Sequence, residues 1–275
     1  MSGAPPSHLS VSVAAWRGDG ATRGTRDIPE ETAIALTYGR MTHAVMMATP
    51  ADLTDFAVGF SLAERIIASP SEIEELEVVA GAQGIELRMA VAGGRMDALL
   101  HRRRVLTGAT GCGLCGMESL AEAARPPIVV SSTLRVAADL LAGAPMALAE
   151  RQSLNAATHA VHAAGFWTAA EGIMLVREDV GRHNALDKLA GALARRGVDA
   201  SRGVVVLTSR VSVEMVQKTA VIGSPVIMAV SAPTALALRV ATEAGISLIG
   251  IARGDGFEVF THPDRVVLEA PVHVG

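Results

Sequence analysis

The spacing of apolar residues changes about halfway along the chain. In the first half, short apolar stretches flank turn residues, as in TAIALTYGRMTHAVMMA (32–48) and ELEVVAGAQGIELRMAV (75–91). This pattern predicts two antiparallel hairpins. Between them, TPADLTDFAVGFSLAERII (49–67) has helical spacing, with Thr49 as the predicted cap and Pro50 in the first turn. The first half is therefore expected to be rich in antiparallel strands.

The second half alternates between short apolar runs and amphipathic stretches. A helix-rich connector, 132–155, leads to a further predicted hairpin over 159–179. After it, predicted helices alternate with buried strands, the strands being GVVVLTS (203–209), PVIMAVS (225–231) and SLIGIA (247–252). This alternation is typical of a parallel sheet covered by helices. The predicted fold class is α/β, with an antiparallel-rich N-terminal half and an α/β C-terminal half.

These patterns suggest three segments. Residues 1–26 are rich in Gly, Ser and Pro and are predicted to be a flexible tail. An N-terminal domain is expected over 27–125, ending in a cysteine loop (107–117) and a short helix over MESLAEAA (117–124). The α/β domain is expected over 126–275.

Composition narrows the class of protein. Half of the 275 residues are apolar and 19% are charged, as in globular proteins. The net charge of −4 argues against a protein that binds nucleic acids or acidic membranes in general. The N-terminus has no basic stretch followed by an apolar block, and no apolar run reaches the ~20 residues that a membrane helix needs. A cytoplasmic protein is expected.

The segment TGATGCGLCGM (107–117) contains both cysteines, Cys112 and Cys115, and four glycines. Glycine disfavours helix and strand and would let the thiols move. Cys115 precedes a predicted helix and Arg102–Arg104 lie upstream, so both surroundings favour a thiolate. The pKa of a thiol, ~8.5 when unperturbed, falls to between ~3.5 and ~7.5 at such sites. The pattern predicts a nucleophile that receives and hands on a soft atom.

Other interpretations of the cysteine pair remain open. It could form half of a zinc site with His159 and His162, although their distance in sequence and the flanking glycines disfavour a rigid metal site. A thioredoxin-like redox pair would need a βαβ strand leading directly into the loop, and no such strand is predicted. An inert surface loop is disfavoured because four glycines surround the two thiols. A zinc deaminase needs H-x-E followed by P-C-x-x-C, but Gly111 precedes the first cysteine. No resident metal is predicted.

Polar residues gather where the predicted strands of the second half end. In open α/β sheets, ligands bind outside the carboxyl ends of the strands. The arginines at these ends could pair with phosphates, namely Arg177, Arg182, Arg210 and Arg253. The helix starts at Ser212 and Thr234 offer free N–H groups. The aspartates could accept from a guanine edge or a ribose, namely Asp179, Asp187 and Asp255. Each segment alone also fits ordinary helix capping, and His183 could cap or pack. Together they predict a nucleotide-like site.

Six segments resemble the FdhD family of formate dehydrogenase accessory proteins, and the resemblance runs over about 28–263. They are HAVMMATPADLTDFAVGFSLAE (43–64), TGCGLCG (110–116), REDVGRHNALDKL (177–189), TSRVSVEMVQK (208–218), VSAPTALA (230–237) and IARGDGFEVFTHP (251–263). The resemblance implies a sulfurtransferase that takes persulfide sulfur from a cysteine desulfurase. It would pass this sulfur to the molybdenum or tungsten of bis-molybdopterin guanine dinucleotide, which formate dehydrogenase requires. The family's second half is similar in fold to cytidine deaminases, without their zinc chemistry, and the resemblance implies a homodimer.

The resemblance also implies roles for individual residues. Cys112 matches the persulfide-bearing cysteine, and Cys115 would assist it. The cofactor-binding segment matches IARGDG, comprising Ile251, Ala252, Arg253, Gly254, Asp255 and Gly256, and we add to it Arg182, Arg210 and Ser231 from the other strand ends. GDP-like nucleotides would mimic the cofactor.

One segment departs from the family pattern. The family commonly has T-G-G-x-H where this chain has THAVH (158–162), which leaves the roles of His159 and His162 open. Two alternatives to a sulfur carrier also stay open: a zinc-stabilised chaperone that binds the cofactor without sulfur chemistry, and a general disulfide oxidoreductase.

Overall fold

The structure, a computed structural model, describes residues 4–95, 126–254 and 256–268. The predicted cysteine loop, the helix expected over 117–124 and Asp255 lie outside these ranges. The described strands form two main sheets, one in each half of the chain, and two small strand pairs. The predicted mixed α/β class is confirmed, with antiparallel pairs dominating the first half. The likeness to cytidine deaminases stays a prediction.

The N-terminal segment differs from the expected tail. Residues 8–26 belong to two antiparallel strands, β1 (His8–Arg17) and β2 (Gly20–Pro29), which pair along their whole length. Apolar residues alternate with small or polar ones along β1, a period of two that favours a strand. The high content of Gly and Ser obscured this period in the sequence. Most of the hairpin is exposed.

Both predicted hairpins of the first half are present in one sheet of the described residues. Its strand order is β4-β3-β6-β5, and the two central strands, β3 and β6, are parallel. Helix α1 covers one face, where the apolar side chains of the sheet form a core with Phe56 and Phe60. The bounds are β3 (Thr32–Tyr38), β4 (Met41–Ala48), α1 (Leu53–Ala63), a 3-10 turn (Pro70–Glu72), β5 (Ile73–Gly81) and β6 (Gly84–Val91).

The second half contains a mixed sheet with the order β13-β12-β11-β10-β8-β9. Strands β10, β11 and β12 are parallel, as predicted, whereas β8 and β13 run in the opposite direction. Helices cover both faces. The bounds are β7 (Val136–Ala137), α2 (Ala138–Ala142), α3 (Ala144–Ala149), α4 (Ser153–Thr158), β8 (His162–Thr168), β9 (Gly172–Asp179), α5 (Arg182–Arg195), a 3-10 turn (Ala200–Arg202), β10 (Val204–Leu207), α6 (Val213–Ile222), β11 (Val226–Ala229), α7 (Ala235–Glu243), β12 (Ser247–Arg253), β13 (Gly256–Val259), a 3-10 turn (Pro263–Arg265) and β14 (Val266–Val267).

The two halves meet where α1 crosses α5, and glycine allows their backbones to touch. A Cβ atom at Gly59 of α1 would lie 1.7 Å from the backbone oxygen of Asp187, and one at Gly191 of α5 would lie 1.9 Å from that of Asp55. Real Cβ atoms do not approach backbone this closely. The crossing therefore requires glycine on both helices.

A buried polar network next to this crossing uses Thr49 in an unexpected way. Helix α1 begins at Leu53 with Asp52 as its N-cap, so the prediction that Thr49 caps this helix was wrong. Instead its N–H donates to Asp179, its hydroxyl accepts from the N–H of Val180, and its carbonyl accepts from Lys188. The residue expected to cap one helix thus joins the two halves.

We predict that Gly191→Ala lowers the free energy of unfolding by about 3 kcal/mol or more, because the added methyl group would force α1 and α5 apart. Urea denaturation would measure the change. Gly143→Ala is the control, since that glycine has helical backbone angles and its nearest neighbour would lie 3.8 Å from the new Cβ. Equal stability of the two variants would contradict the close crossing.

Candidate functional site

Four strands of the second half end at the same edge of the sheet. Strand β8 is antiparallel to both β9 and β10, so these two run in one direction, which β11 and β12 share. The predicted polar segments after these strands therefore lie along one edge. This is the edge at which open α/β sheets bind ligands.

Hydrogen bonds join three of these segments side by side. The N–H of Thr234 donates to the carbonyl oxygen of Val211 at 3.0 Å, which links the segments after β10 and β11. The N–H of Ile251 donates to the carbonyl oxygen of Ser231 at 3.3 Å, which links the segments after β11 and in β12. Arg210 is adjacent to Val211 and so belongs to the same surface. We call this surface the strand-end rim and define it as residues 209–212, 230–234 and 250–254.

Ile251 has a backbone conformation that is rare for its type. Its φ is 53°, in the left-handed region, where a β-branched side chain is strained. The pairing of β12 with β13 is irregular between Gly250 and Arg253, which places Ile251 inside a bulge. Strain of this kind persists where the surrounding structure imposes it, and it clusters at binding sites.

The other described residues of the predicted cofactor segment differ in their exposure. Ala252 is buried in the core, so its side chain cannot contact a ligand. Arg253 is exposed, and its Nε donates to the carbonyl oxygen of Val230 at 3.4 Å, which brings the guanidinium over the end of β11. Gly254 is exposed, and Gly256, with a φ of 144°, pairs with Arg253 at the start of β13.

The rim carries two arginines, Arg210 and Arg253. Arg210 and Arg253 are both exposed, and neither forms an ion pair with a carboxylate among the described residues. Ser231 lies between them and is half-buried. Two guanidinium groups and a hydroxyl at one edge suit a phosphate-bearing ligand. Thr234 acts as an ordinary cap, since its hydroxyl accepts from the N–H of Ala237.

Three other predicted contacts are engaged elsewhere. Arg177 is largely buried and pairs with Asp55, its Nη2 lying 2.6 Å from Oδ2, so it is not free for a phosphate. Asp179 is fully buried beside Lys188, with 2.6 Å between Nζ and Oδ2. Asp187 is also buried and accepts from Lys218. None of the three reaches the surface as a ligand contact, because each has a partner inside the protein.

Arg182 is the first residue of α5 and lies beside His162 and His183. Burial, followed by the charges of Lys218 and other neighbours, lowers the pKa of the adjacent His183 to about 4. Burial and the Arg182 guanidinium also lower the pKa of His162. Glu214, whose charge acts on His183, also accepts a hydrogen bond from the hydroxyl of Ser212 in the rim, so this cluster adjoins the segment after β10.

The two histidines of THAVH differ in their settings. His159 is exposed and ends α4 with a φ of 54°, whereas His162 is half-buried in the first position of β8. The described ranges contain no group of three or more His, Cys, Asp or Glu residues that could hold a metal ion. Both cysteines lie outside those ranges, so the alternative of a zinc site stays open.

Sequence reasoning missed an apolar feature of the rim. A Cβ at Gly250 would lie 3.0 Å from Cδ of Pro233 and 3.1 Å from Cε2 of Phe260, so both rings lie against this glycine. The signal was present, because an isolated glycine inside a strand pattern marks the close approach of another group.

The fold and the rim together define a mixed α/β protein whose sheet edge presents guanidinium, hydroxyl and apolar groups. A model of the FdhD/NarQ family matches residues 29–267. The chain therefore belongs to the FdhD/NarQ family, which confirms the resemblance carried by its motifs.

Named relatives span nearly the whole chain. The sulfur carrier protein FdhD of Agrobacterium fabrum is 51% identical over 263 residues, which cover 95% of this chain and 97% of that protein. The sulfur carrier protein FdhD of Cupriavidus necator is 48% identical over 267 residues, covering 97% and 92%.

A solved structure has a similar fold. It is described as a candidate formate dehydrogenase accessory protein from Desulfotalea psychrophila and matches with a TM-score of 0.72 and 24% identity. The match covers 95% of this chain and all of that one. Among the described residues, no helix is both long and apolar enough to span a membrane.

We predict that the free energy of unfolding falls as the pH is lowered from about 6.5 to about 4. The unfolded chain binds a proton at His183 with a pKa of about 6.5, whereas the folded chain holds this pKa at about 4, so protons favour unfolding in this window. His183→Gln should remove about 1–2 kcal/mol of this loss, after allowance for solvent screening.

Urea denaturation at several pH values would measure this effect. The exposed His159→Gln is the control and should leave the pH profile unchanged. An unchanged profile in His183→Gln would show that the imidazole is not held neutral by its surroundings.

Proposed function

We propose that this protein is a sulfur carrier that accepts persulfide sulfur and delivers it to a guanine-dinucleotide metal cofactor. The observation that carries the proposal is the pair of relatives named sulfur carrier protein FdhD, at 51% and 48% identity over more than nine-tenths of this chain. Two further features support it. The sequence contains the CGLC segment, and the rim presents exposed cations where α/β sheets bind nucleotides.

The first step is a sulfur transfer to Cys112. Its thiolate attacks the terminal sulfur of a persulfide on a cysteine desulfurase, and the thiolate of the desulfurase leaves. One sulfur–sulfur bond forms and one breaks, so no further oxidant or reductant is needed. Cys115, three residues away in sequence, assists by sharing the sulfur or protecting it. In this step the protein acts as a sulfurtransferase, because its Cys112 thiol receives a sulfur atom from the desulfurase.

The second step delivers the sulfur to bound substrate, bis-molybdopterin guanine dinucleotide carrying molybdenum or tungsten. The sulfur–sulfur bond of the Cys112 persulfide breaks and the Cys112 thiolate leaves, while a thiol reductant, which becomes a disulfide, supplies the two electrons that turn the transferred sulfur into sulfide. Arg210 and Arg253 pair with the phosphates of the dinucleotide, and Ser231 donates a hydrogen bond between them. The matured cofactor then serves formate dehydrogenase. A homodimer would offer two rims, one for each guanine arm of the substrate.

Sulfur loading is expected to depend on Cys112. We predict that Cys112→Ala gains no sulfur, because the residue that receives the transferred atom is gone, whereas wild-type protein gains the mass of one sulfur atom. The measurement is intact mass after incubation with a cysteine desulfurase and cysteine. Cys115→Ala is the matched variant and should still load sulfur.

Two results would contradict this step. One is a Cys112→Ala protein that still gains sulfur and matures formate dehydrogenase. The other is wild-type protein that holds one zinc ion, loses it on Cys112→Ser and never carries sulfur, which would favour the zinc-stabilised chaperone.

Nucleotide binding is expected to depend on Arg253. We predict that Arg253→Ala weakens the binding of GDP about tenfold, since a hydrogen bond to a charged group contributes about 1.5–3 kcal/mol and exposure reduces it. Isothermal titration calorimetry would measure the affinity. Arg196→Ala is the control, because that exposed arginine ends α5 at the far side from the rim. Equal affinities for the two variants would count against the rim as the nucleotide site.

A further inference from the structure

Gly250 lies under two apolar rings that no motif of the chain assigns to the site. The pyrrolidine of Pro233 and the phenyl ring of Phe260 both approach it so closely that a methyl group would fit only if they moved by a few tenths of an ångström. The carbonyl oxygen of Ser231 lies 3.2 Å from the same Cβ position. Pro233 belongs to the strand-end rim, and the ring of Phe260 reaches the rim at Gly250, while the backbone of Phe260 pairs with Leu248.

The ring of Phe260 is accessible to solvent, and Pro233 is half-buried. Phe260 is 37% exposed and Ile251, the next residue after Gly250, is 36% exposed. Large apolar side chains usually bury more of their surface. The backbone hydrogen bond from the N–H of Ile251 to the carbonyl oxygen of Ser231 holds the bulge in place. The result is an apolar surface that the protein itself leaves uncovered in the described residues.

Cations lie beside this surface. The guanidinium of Arg253 folds over the end of β11, next to the segment that carries Ser231 and Pro233. Apolar rings next to anion-binding groups are the pattern that recognises a flat heterocycle joined to phosphate. A phosphate alone would need only the cations, and an apolar peptide would not need them.

We infer that Phe260, with Pro233 and Ile251, forms an apolar shelf that binds a flat bicyclic heterocycle of the substrate. Guanine and pterin share the same 2-amino-4-oxopyrimidine ring, so the shelf suits either end of the dinucleotide. This inference rests on the proposed function, because it gives that substrate its ring contact. It makes Phe260 a residue that determines specificity.

The test compares ligands that do and do not contain the ring. Binding of GDP, 6-hydroxymethylpterin and inorganic pyrophosphate is measured by calorimetry for the wild type and for Phe260→Ala. Loss of a stacking side chain weakens base binding by roughly 5- to 100-fold. We expect this loss for GDP, for the pterin or for both, and unchanged affinity for pyrophosphate.

Two variants separate ring contact from folding. Phe260→Tyr keeps an aromatic ring and should retain most of the affinity. Phe257→Leu is the matched control, because this ring lies in β13, three residues before Phe260, and packs against the core, and it should bind as the wild type does.

The results distinguish the shelf from the function on which it rests. Phe260→Ala that binds GDP and the pterin like the wild type overturns the shelf, and so does an equal loss for pyrophosphate. A selective loss for GDP or for the pterin shows which end of the dinucleotide the shelf holds. Wild-type protein that binds neither ring would overturn the cofactor part of the proposed function and the shelf with it, while sulfur loading on Cys112 is measured independently.

Discussion

The contact between helices α1 and α5 fixes the arrangement on which the rest of the structure depends. Gly59 and Gly191 let the two backbones touch, and no other residue would leave room. This crossing holds the start of α5 against the segment between β4 and α1. It also fixes the end of β9, since β9 leads directly into α5. The end of β9 and the start of α5 are therefore positioned by the first half of the chain.

A buried ion pair reinforces this contact at a cost that its neighbours offset. Asp179 and Lys188 are both fully buried, and desolvating two charges costs several kcal/mol for each ion. Asp179 also accepts from the backbone N–H groups of Thr49 and Gly181 and from the side chain of Asn184. Each of these hydrogen bonds offsets part of the desolvation cost of the Asp179 carboxylate, because a buried charge is tolerated when it is fully hydrogen-bonded. The network thus favours this one arrangement of the two halves over alternatives that would leave a charge unpaired.

Local patterns predicted the elements well, and distant partners explain what they missed. The hairpin over 32–48 and the alternation of strands and helices after 180 follow from apolar spacing along adjacent residues. The engagement of Thr49 and Arg177 does not, because their partners lie more than a hundred residues away in sequence. The local sequence around an arginine that follows a strand does not distinguish an arginine that binds a ligand from one that pairs with a buried carboxylate. The rim residues Arg210, Ser231 and Ile251 were found because strand ends in parallel sheets meet at one edge.

The same partners decide which charges remain available for a ligand. Asp55 neutralises Arg177 and also contacts Arg195, while Asp187 neutralises Lys218, so the carboxylates near the crossing are all engaged. Arg210 and Arg253 lie away from this crossing and keep their charge uncompensated within the described residues. The chain is acidic as a whole, with a net charge of −4, yet the residues that define the rim include two arginines and no carboxylate. A local excess of positive charge on an acidic protein favours a specific anionic ligand over general attraction to polyanions, because long-range attraction follows the net charge and short-range binding follows the site.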